Sequence, residues 1–180
     1  MKTDPLKLYE QASAWTLEKV VGAKDKLDAG TPCDKWNVHA LMNHMLETSQ
    51  YFVNSAKGQK DAAPPSANPP EILSDDPVAD FKKARAETLK TFSADGVIEK
   101  TGPSIGIAFS DTLLHGWDLA RATGQDTTMP DGLAEAAYKN IHGKFTEEQR
   151  KGIFAPELKV AADASAEDKL LAYTGRIPVS

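Results

Sequence analysis

The length and composition of the chain exclude several classes of protein. Its 180 residues suffice for one compact domain and are too few for two ordinary ones. Hydrophobic residues make up 41% of the sequence, but no apolar run is long enough to span a membrane, and the N-terminus lacks the apolar core of a signal peptide.

Charge and cysteine content narrow the expected partners and compartment. The 26 acidic and 21 basic residues give a net charge of −5. This balance argues against a nucleic-acid partner, because neutralising phosphates requires a clustered basic face. The single cysteine, Cys33, excludes an internal disulfide framework and fits a reducing compartment. We therefore expect a cytoplasmic protein that binds neither nucleic acid nor membrane.

The first half of the chain predicts three amphipathic helices. Apolar spacing places them at Pro5–Leu27, from Val38 to about Lys57, and at Asp76–Phe92. Asn37 is the expected N-cap of the second. The segment DAAPPSANPP, which precedes the third helix, has too many prolines for a helix or a central strand, so we interpret it as a long ordered crossover loop.

The second half predicts one more long helix and several shorter elements. The long helix runs from about Ile105 to Ala122, and Gly124 is its natural stop. Shorter elements are expected at Gly132–Ile141, in a turn around Thr146–Ile153, and at Ala166–Tyr173.

No strand pattern is long enough to build a sheet, so the predicted fold class is all-α. We expect a single domain over residues 1–180. It would consist of an up-and-down or crossover four-helix bundle at residues 5–123 and a small helical C-terminal extension at residues 124–180. An exposed apolar helix face could make a homodimer, but no heptad pattern indicates one.

A polar stripe marks the fourth long helix within the stretch DTLLHGWDLAR. At 100° per residue, Asp111, His115 and Asp118 fall within one narrow arc. The other directions of the helix are nearly all apolar, which is typical of a buried helix. Because a buried carboxylate is costly without a partner, these aspartates must meet a cation.

Two kinds of cation could fill this role. In a purely structural arrangement, the aspartates pair with Arg121 or a lysine of another helix, and His115 is a hydrogen-bonded core residue. Alternatively, a carboxylate and an imidazole one helical turn apart hold a divalent metal ion, which a ligand on a facing helix completes.

The facing ligand has three candidates that sequence periodicity does not separate. His39 and His44 lie on the second helix about 140° apart, so both cannot reach one ion from the same face. The two histidines lie on opposite edges of the apolar stripe of this helix. His142, in the C-terminal extension, is a more remote option.

Three blocks of the sequence, in order, resemble the DinB-like metal-binding superfamily. They are TPCDKWNVHALMNHMLETSQYF, SDTLLHGWDLARATGQ and ASAEDKLLAYTGRIP. The nearest likeness is to the actinobacterial branch that includes the N-terminal domain of mycothiol-dependent maleylpyruvate isomerase. The resemblance covers most of the chain.

This resemblance implies a four-helix bundle with a divalent metal held by one histidine of the second helix and a pair on the fourth. Carried over, His44 is the second-helix ligand, and Asp111 and His115 are the pair. Relatives have His or Glu at the position of Asp111, so this chain departs from the pattern with a shorter carboxylate. Zinc is the expected metal, and nickel, iron and manganese suit the same donors. Asp118 is expected to orient a ligand rather than to bind the metal.

Other notable residues have ordinary structural interpretations. Trp36 and Trp117 are expected in the core, with pocket lining as the minority role. Arg121 suits a helix end, where a cation complements the dipole. Cys33 is expected to behave as a small buried hydrophobe, because no second cysteine is present to share a metal.

Three functions follow from these expectations. The first is a metal-dependent transferase or isomerase that uses a low-molecular-weight thiol, which the resemblance implies to be mycothiol or a similar thiol, with an electrophilic substrate. The residues after Thr123 are few for the isomerase's second domain. The second is a non-catalytic metal-binding module for stress response or interaction, with a closed apolar surround instead of a polar cleft. The third is metal-assisted hydrolysis, for which Asp118 is the obvious general base.

Overall fold

The computed structural model describes residues 4–178, and within them the fold is all-α. Apart from an isolated bridge between Gly30 and Asn37, the described residues form no strand. The all-α prediction is therefore confirmed. The helices are α1 (Pro5–Ala23), α2 (Val38–Ala56), α3 (Pro77–Phe92), α4 (Val97–Thr101), α5 (Ser104–Thr123), α6 (Leu133–Ile141), α7 (Glu147–Ile153) and α8 (Ala166–Tyr173).

Two helix boundaries follow the expected capping residues. Asn37 caps α2, where its side chain accepts a hydrogen bond from the Ala40 N–H. α5 ends at Gly124, which adopts a left-handed conformation with φ of 73°. The Gln125 N–H then returns to the Ala120 carbonyl at 2.9 Å, which satisfies a carbonyl of the last turn.

The first helix is shorter than its apolar pattern predicts. It ends at Ala23 and not at Leu27. The chain turns because the Lys26 N–H bonds to the Ala23 carbonyl at 2.9 Å, and the Leu27 carbonyl accepts the His39 N–H at 2.9 Å. Leu27 still packs against the core from this turn, which explains why its position matched the helical stripe.

Two short helices differ from the sequence prediction. α4 was not expected. α7 replaces the predicted turn, because Thr146 and Gln149 form a capping box in which each side chain bonds the other's backbone N–H.

The described residues fall into two compact units, one up to Thr128 and the other from Met129. In the first unit, α1 packs against α3 and α5, and α2 packs against the same two helices. Part of the core between them is a buried cluster contributed by α1, α2 and α5: Val20, Ala23, Val38, Leu41, Met42, Met45 and Leu119.

The segment between α2 and α3 contains neither helix nor strand and is held by a buried side chain. The Oδ1 of Asn43 accepts the N–H groups of Ile72 and Leu73 at 2.7 and 2.8 Å. Asn43 is only 2% exposed, so these bonds fix the segment against α2.

α5 is buried along most of its length, as its apolar composition predicts. Its close approach to α1 depends on Gly116. A Cβ at that position would collide with the side chain of Thr16 and lie 2.8 Å from the Trp15 ring. Thr16 also donates its hydroxyl to the Thr112 carbonyl at 3.0 Å, which ties the two helices together.

The second unit contains α6, α7 and α8. α6 packs against α8, and Arg150 of α7 donates from Nη2 to the Tyr173 carbonyl at 2.8 Å. Across residues 4–178, no helix is long and apolar enough to cross a membrane.

Candidate metal centre

The three ligands expected from the sequence converge on one point. His44 of α2 and Asp111 and His115 of α5 each place a potential ligand atom within 4.8 Å of the other two. The two histidine rings lie 5.1 Å apart and nearly perpendicular, at 84°. The Nε2 of His115 lies 3.4 Å from the Oδ1 of Asp111. Two ligands on one tetrahedral zinc ion are separated by roughly 3.3 Å, so this spacing fits a shared ion.

His115 is oriented by the carboxylate of Asp118, one turn further along α5. The side chain of Asp118 is 0% exposed, and its Oδ2 lies 2.9 Å from the Nδ1 of His115. A proton on Nδ1 satisfies this carboxylate and leaves Nε2 turned towards Asp111. The expected orienting role of Asp118 therefore has the required geometry.

The two histidines of the centre have opposite protonation tendencies. Burial lowers the pKa of His115, but the charge of Asp111 and hydrogen bonds with Asp111, Asp118 and Cys33 outweigh it. The pKa of His115 is consequently raised well above its ordinary value. Burial, and then the charge of His115, lower the pKa of His44 to about 4 against the opposing effect of Asp111. The raised pKa favours the protonated form of the His115 ring between Asp111 and Asp118, whereas the lowered pKa favours the neutral form of His44.

His44 has a buried ring nitrogen, Nδ1, without a hydrogen-bond partner among the described residues, a feature that suits a metal ligand. Its Nε2 lies 3.5 Å from the Thr48 hydroxyl. An orphaned buried nitrogen is costly, and a neutral imidazole is the state that binds metal. Two nitrogens and a carboxylate oxygen suit zinc and related divalent ions.

The other two histidines have neighbours of their own. His39 is partly exposed, and its Nε2 pairs with Glu71 at 3.0 Å. His142 belongs to the unit beyond Met129, where its ring stacks on Tyr138 at 4.6 Å. Among the described residues, His44 is the histidine that shares a possible ligand group with Asp111 and His115.

Both aspartates contact the imidazole of His115. Arg121, which the structural alternative offered as their partner, is exposed in the last turn of α5. This position agrees with the expected placement of a cation at a helix end.

The turn before α2 places two residues beside the centre. Trp36 stacks on His44, with centroids 4.4 Å apart and planes 31° apart. It is half-buried and packs against the core cluster, which agrees with its expected place in the core. Cys33 is also half-buried, and its Sγ lies 3.5 Å from the Oδ2 of Asp118. This corrects its expected role as a small buried hydrophobe, because the thiol is partly exposed and contacts a carboxylate. Trp117 is 1% exposed and lies in the core, as expected.

A cleft of about 560 Å³, counted with the solvent at its mouth, lies between α1, α2, α3 and α5 beside Asp111. Its polar lining from α1 and α3 includes Tyr9, Ser13, Arg85 and Thr88. Burial raises the pKa of Tyr9, opposed by its hydrogen bond with Thr88 and the charge of Arg85. No motif in the sequence indicated these residues, because their meeting depends on how α1 and α3 pack.

Tyr9 and Arg85, which both line this cleft, differ in how far they are buried. Tyr9 is 5% exposed, so its hydroxyl is held inside. Arg85 is half-buried and donates from Nε to the Ser13 hydroxyl at 2.9 Å and from Nη2 to the Glu10 carbonyl at 3.1 Å. The cleft thus combines a largely apolar lining with a few polar groups that the helices hold in place.

Two proteins of Mycobacterium tuberculosis are similar to this chain along nearly its whole length. They are "Uncharacterized protein MT0763" of strain CDC 1551 / Oshkosh and "Uncharacterized protein Rv0738" of strain ATCC 25618 / H37Rv. Each is 30% identical over 189 residues, covering 96% of this chain and 98% of the relative. No family model matches the chain, and no solved structure matches it.

Proposed function

The chain belongs to the family of these two mycobacterial proteins, and we propose that it binds one divalent metal ion through His44, Asp111 and His115. The observation that carries this proposal is the buried Nδ1 of His44, which lacks a partner among residues 4–178 in a side chain facing Asp111 and His115. Zinc is the proposed metal, and nickel, iron and manganese are alternatives that metal analysis separates.

We further propose that the metal serves a low-molecular-weight thiol of the mycothiol type in a transferase or isomerase reaction. Three protein ligands leave coordination positions open. A divalent ion there would lower the pKa of a bound thiol and present it as a thiolate. The cleft beside Asp111 supports this function over a purely structural one, because polar groups of α1 and α3 line it.

The side chains of the cleft would bind and orient the thiol's partner. The Tyr9 hydroxyl is held inside by its hydrogen bond with Thr88. Arg85 offers a cation whose Nε and Nη2 are held by Ser13 and the Glu10 carbonyl. An electrophile seated there would lie beside Asp111, which belongs to both the cleft and the proposed ligand set.

The four long helices support a DinB-like four-helix bundle as the finer description of the fold. Each of α1 and α2 packs against both α3 and α5, and the proposed ligands come from the second and fourth of these long helices, as the sequence resemblance implies.

A non-catalytic metal-binding module is the second candidate. It is favoured by the closed arrangement of Asp111, His115 and Asp118, in which both carboxylates already contact the ring of His115. Metal-assisted hydrolysis has less support, because Asp118, its expected general base, is fully buried and occupied with His115.

Metal analysis of the protein purified without a histidine tag tests the metal proposal. We expect one equivalent of a divalent ion, removed by chelator and restored by dialysis against zinc. His44→Ala should lose it, whereas His39→Ala, on the same helix, should keep it. If wild type and His44→Ala bind equal amounts, the proposal is wrong.

Thiol binding separates the catalytic from the non-catalytic function. Zinc-loaded protein should bind mycothiol in a calorimetric titration and transfer it to simple electrophiles. The chelated protein should do neither. Tight metal binding without thiol binding would leave the non-catalytic module as the function.

A further inference from the structure

The turn between α1 and α2 brings a sulfur donor to the side of His115 that faces away from Asp111. The Oδ2 of Asp118 lies 2.9 Å from the Nδ1 of His115 and 3.5 Å from the Sγ of Cys33. One ligand atom from each of these three residues lies within 4.8 Å of the others. Sulfur, nitrogen and oxygen donors therefore converge here without His44 or Asp111.

The position of Cys33 is fixed by the turn itself. The Thr31 hydroxyl accepts the Cys33 N–H at 3.1 Å and donates to the Trp36 carbonyl at 2.7 Å. The bridge between Gly30 and Asn37 closes the turn at its base. The thiol is thus held against Asp118 by local hydrogen bonds, and its half-buried side chain leaves a route for a small cation.

A neutral His115 can bind a cation through only one of its two ring nitrogens at a time. A neutral imidazole has one bare nitrogen and one N–H. With the proton on Nδ1, Nε2 faces Asp111; with the proton on Nε2, Nδ1 faces Cys33 and Asp118. The two ligand sets are therefore alternatives that share one residue.

The donors differ in the cations that they prefer. His44, Asp111 and Nε2 of His115 offer nitrogen and oxygen, whereas the other set adds a thiolate. Thiolates favour soft, thiophilic cations such as Cd²⁺. The thiolate of Cys33 and the carboxylate of Asp118 together carry two negative charges, which balance a divalent ion in a buried position.

We propose that Cys33, Asp118 and the Nδ1 of His115 form a second, alternative site for a thiophilic divalent cation. Binding there displaces the thiol proton of Cys33 and the Nδ1 proton of His115, and the remaining proton of the ring stays on Nε2. This inference goes beyond the proposed function, because it requires neither His44 nor a substrate thiol.

Cadmium titration of the full chain tests the second site. Cys33 is the only cysteine of the sequence, so any thiolate-to-cadmium ultraviolet absorption reports this residue alone. We expect one equivalent of Cd²⁺ to produce that absorption in wild type. His44→Ala should retain the absorption, because the second ligand set is intact, and Cys33→Ser should lose it.

Nickel binding provides the comparison that keeps the two sites distinguishable. Cys33→Ser should bind nickel as wild type does, and His44→Ala should not. If His44→Ala lost the cadmium absorption as well, the second site would be wrong, whatever the outcome for nickel. If nickel binding failed in all variants while the cadmium result held, only the proposed function would fail.

X-ray absorption spectroscopy of the cadmium-loaded wild type gives a readout that needs no variant. We expect a single sulfur among the ligands of the ion. An ion coordinated by nitrogen and oxygen alone, or no bound cadmium, would overturn the proposal.

Discussion

The imidazole of His115 spans two carboxylates of its own helix: its Nδ1 lies 2.9 Å from the Oδ2 of Asp118 and its Nε2 lies 3.4 Å from the Oδ1 of Asp111. Asp111, one turn before His115, is a potential metal ligand. Asp118, one turn after it, orients the ring. A facing helix then needs to add only one more donor, and His44 of α2 is the residue in place.

The first prediction concerns metal-dependent stability. In thermal melts with and without chelator, zinc should stabilise wild type by about 2.7 kcal/mol when free metal exceeds its dissociation constant about 100-fold. His44→Ala should lose this increment because one ligand is missing. His39→Ala should retain it, since His39 pairs with Glu71 at the surface. Equal melting temperatures of wild type with and without chelator would contradict a well-occupied site.

The second prediction concerns the pH dependence of metal affinity. The pKa of His115 is raised well above its ordinary value, so the metal must displace a proton from Nε2. Below that pKa, the apparent affinity should fall about tenfold for each unit that the pH decreases. Calorimetry in buffers of different ionisation enthalpy should detect the released proton at pH 7. A pH-independent affinity between pH 6 and 7 would show that His115 is not protonated in the metal-free protein.

The third prediction concerns the acid stability of the metal-free protein. The pKa of His44 is about 4 in the folded state and about 6.5 in an unfolded chain. For a group with a lowered pKa, the stabilisation is present above the unfolded value and is lost as pH falls towards the folded one. Between pH 6.5 and about 4, wild type should therefore lose roughly 1–3 kcal/mol more unfolding free energy than His44→Asn, whose side chain does not titrate.

Denaturant titrations of both proteins at several pH values measure this difference. His115 has the opposite tendency: its contribution is complete below its unfolded pKa and declines as pH rises through the raised folded value. It is present in both proteins, so the comparison largely removes it. Parallel pH profiles would mean that His44 is not held neutral by burial.

The fourth prediction concerns the contact between α1 and α5. Gly116→Ala should reduce the unfolding free energy by about 1–3 kcal/mol, because the new methyl group meets Thr16 and the Trp15 ring. It should also weaken metal binding, since His115 precedes this position. Gly152→Ala in α7 is the matched control. A Cβ there has nothing within 4 Å, so helix propensity should make the change neutral or slightly stabilising. Equal effects of the two substitutions would refute the close packing.

The sequence alone determined the features that depend on local backbone geometry. Helical periodicity placed Asp111, His115 and Asp118 on one face of α5 before any fold was known, and the structure keeps them together. Side-chain capping and glycine's access to the left-handed region likewise located Asn37 and Gly124. These features are set within a few residues, where hydrogen bonds and chain geometry leave little freedom.

The tertiary structure decided which residues of different segments meet. His39 and His44 were equivalent in the sequence because each flanks the apolar stripe of α2; packing against α5 turned His44 inward and left His39 beside Glu71. The approach of Cys33 to Asp118 required the turn closed by Thr31. Periodicity fixes directions around one helix axis, but the rotation and offset between helices result from burying the whole core at once, so no single segment of the sequence contains them.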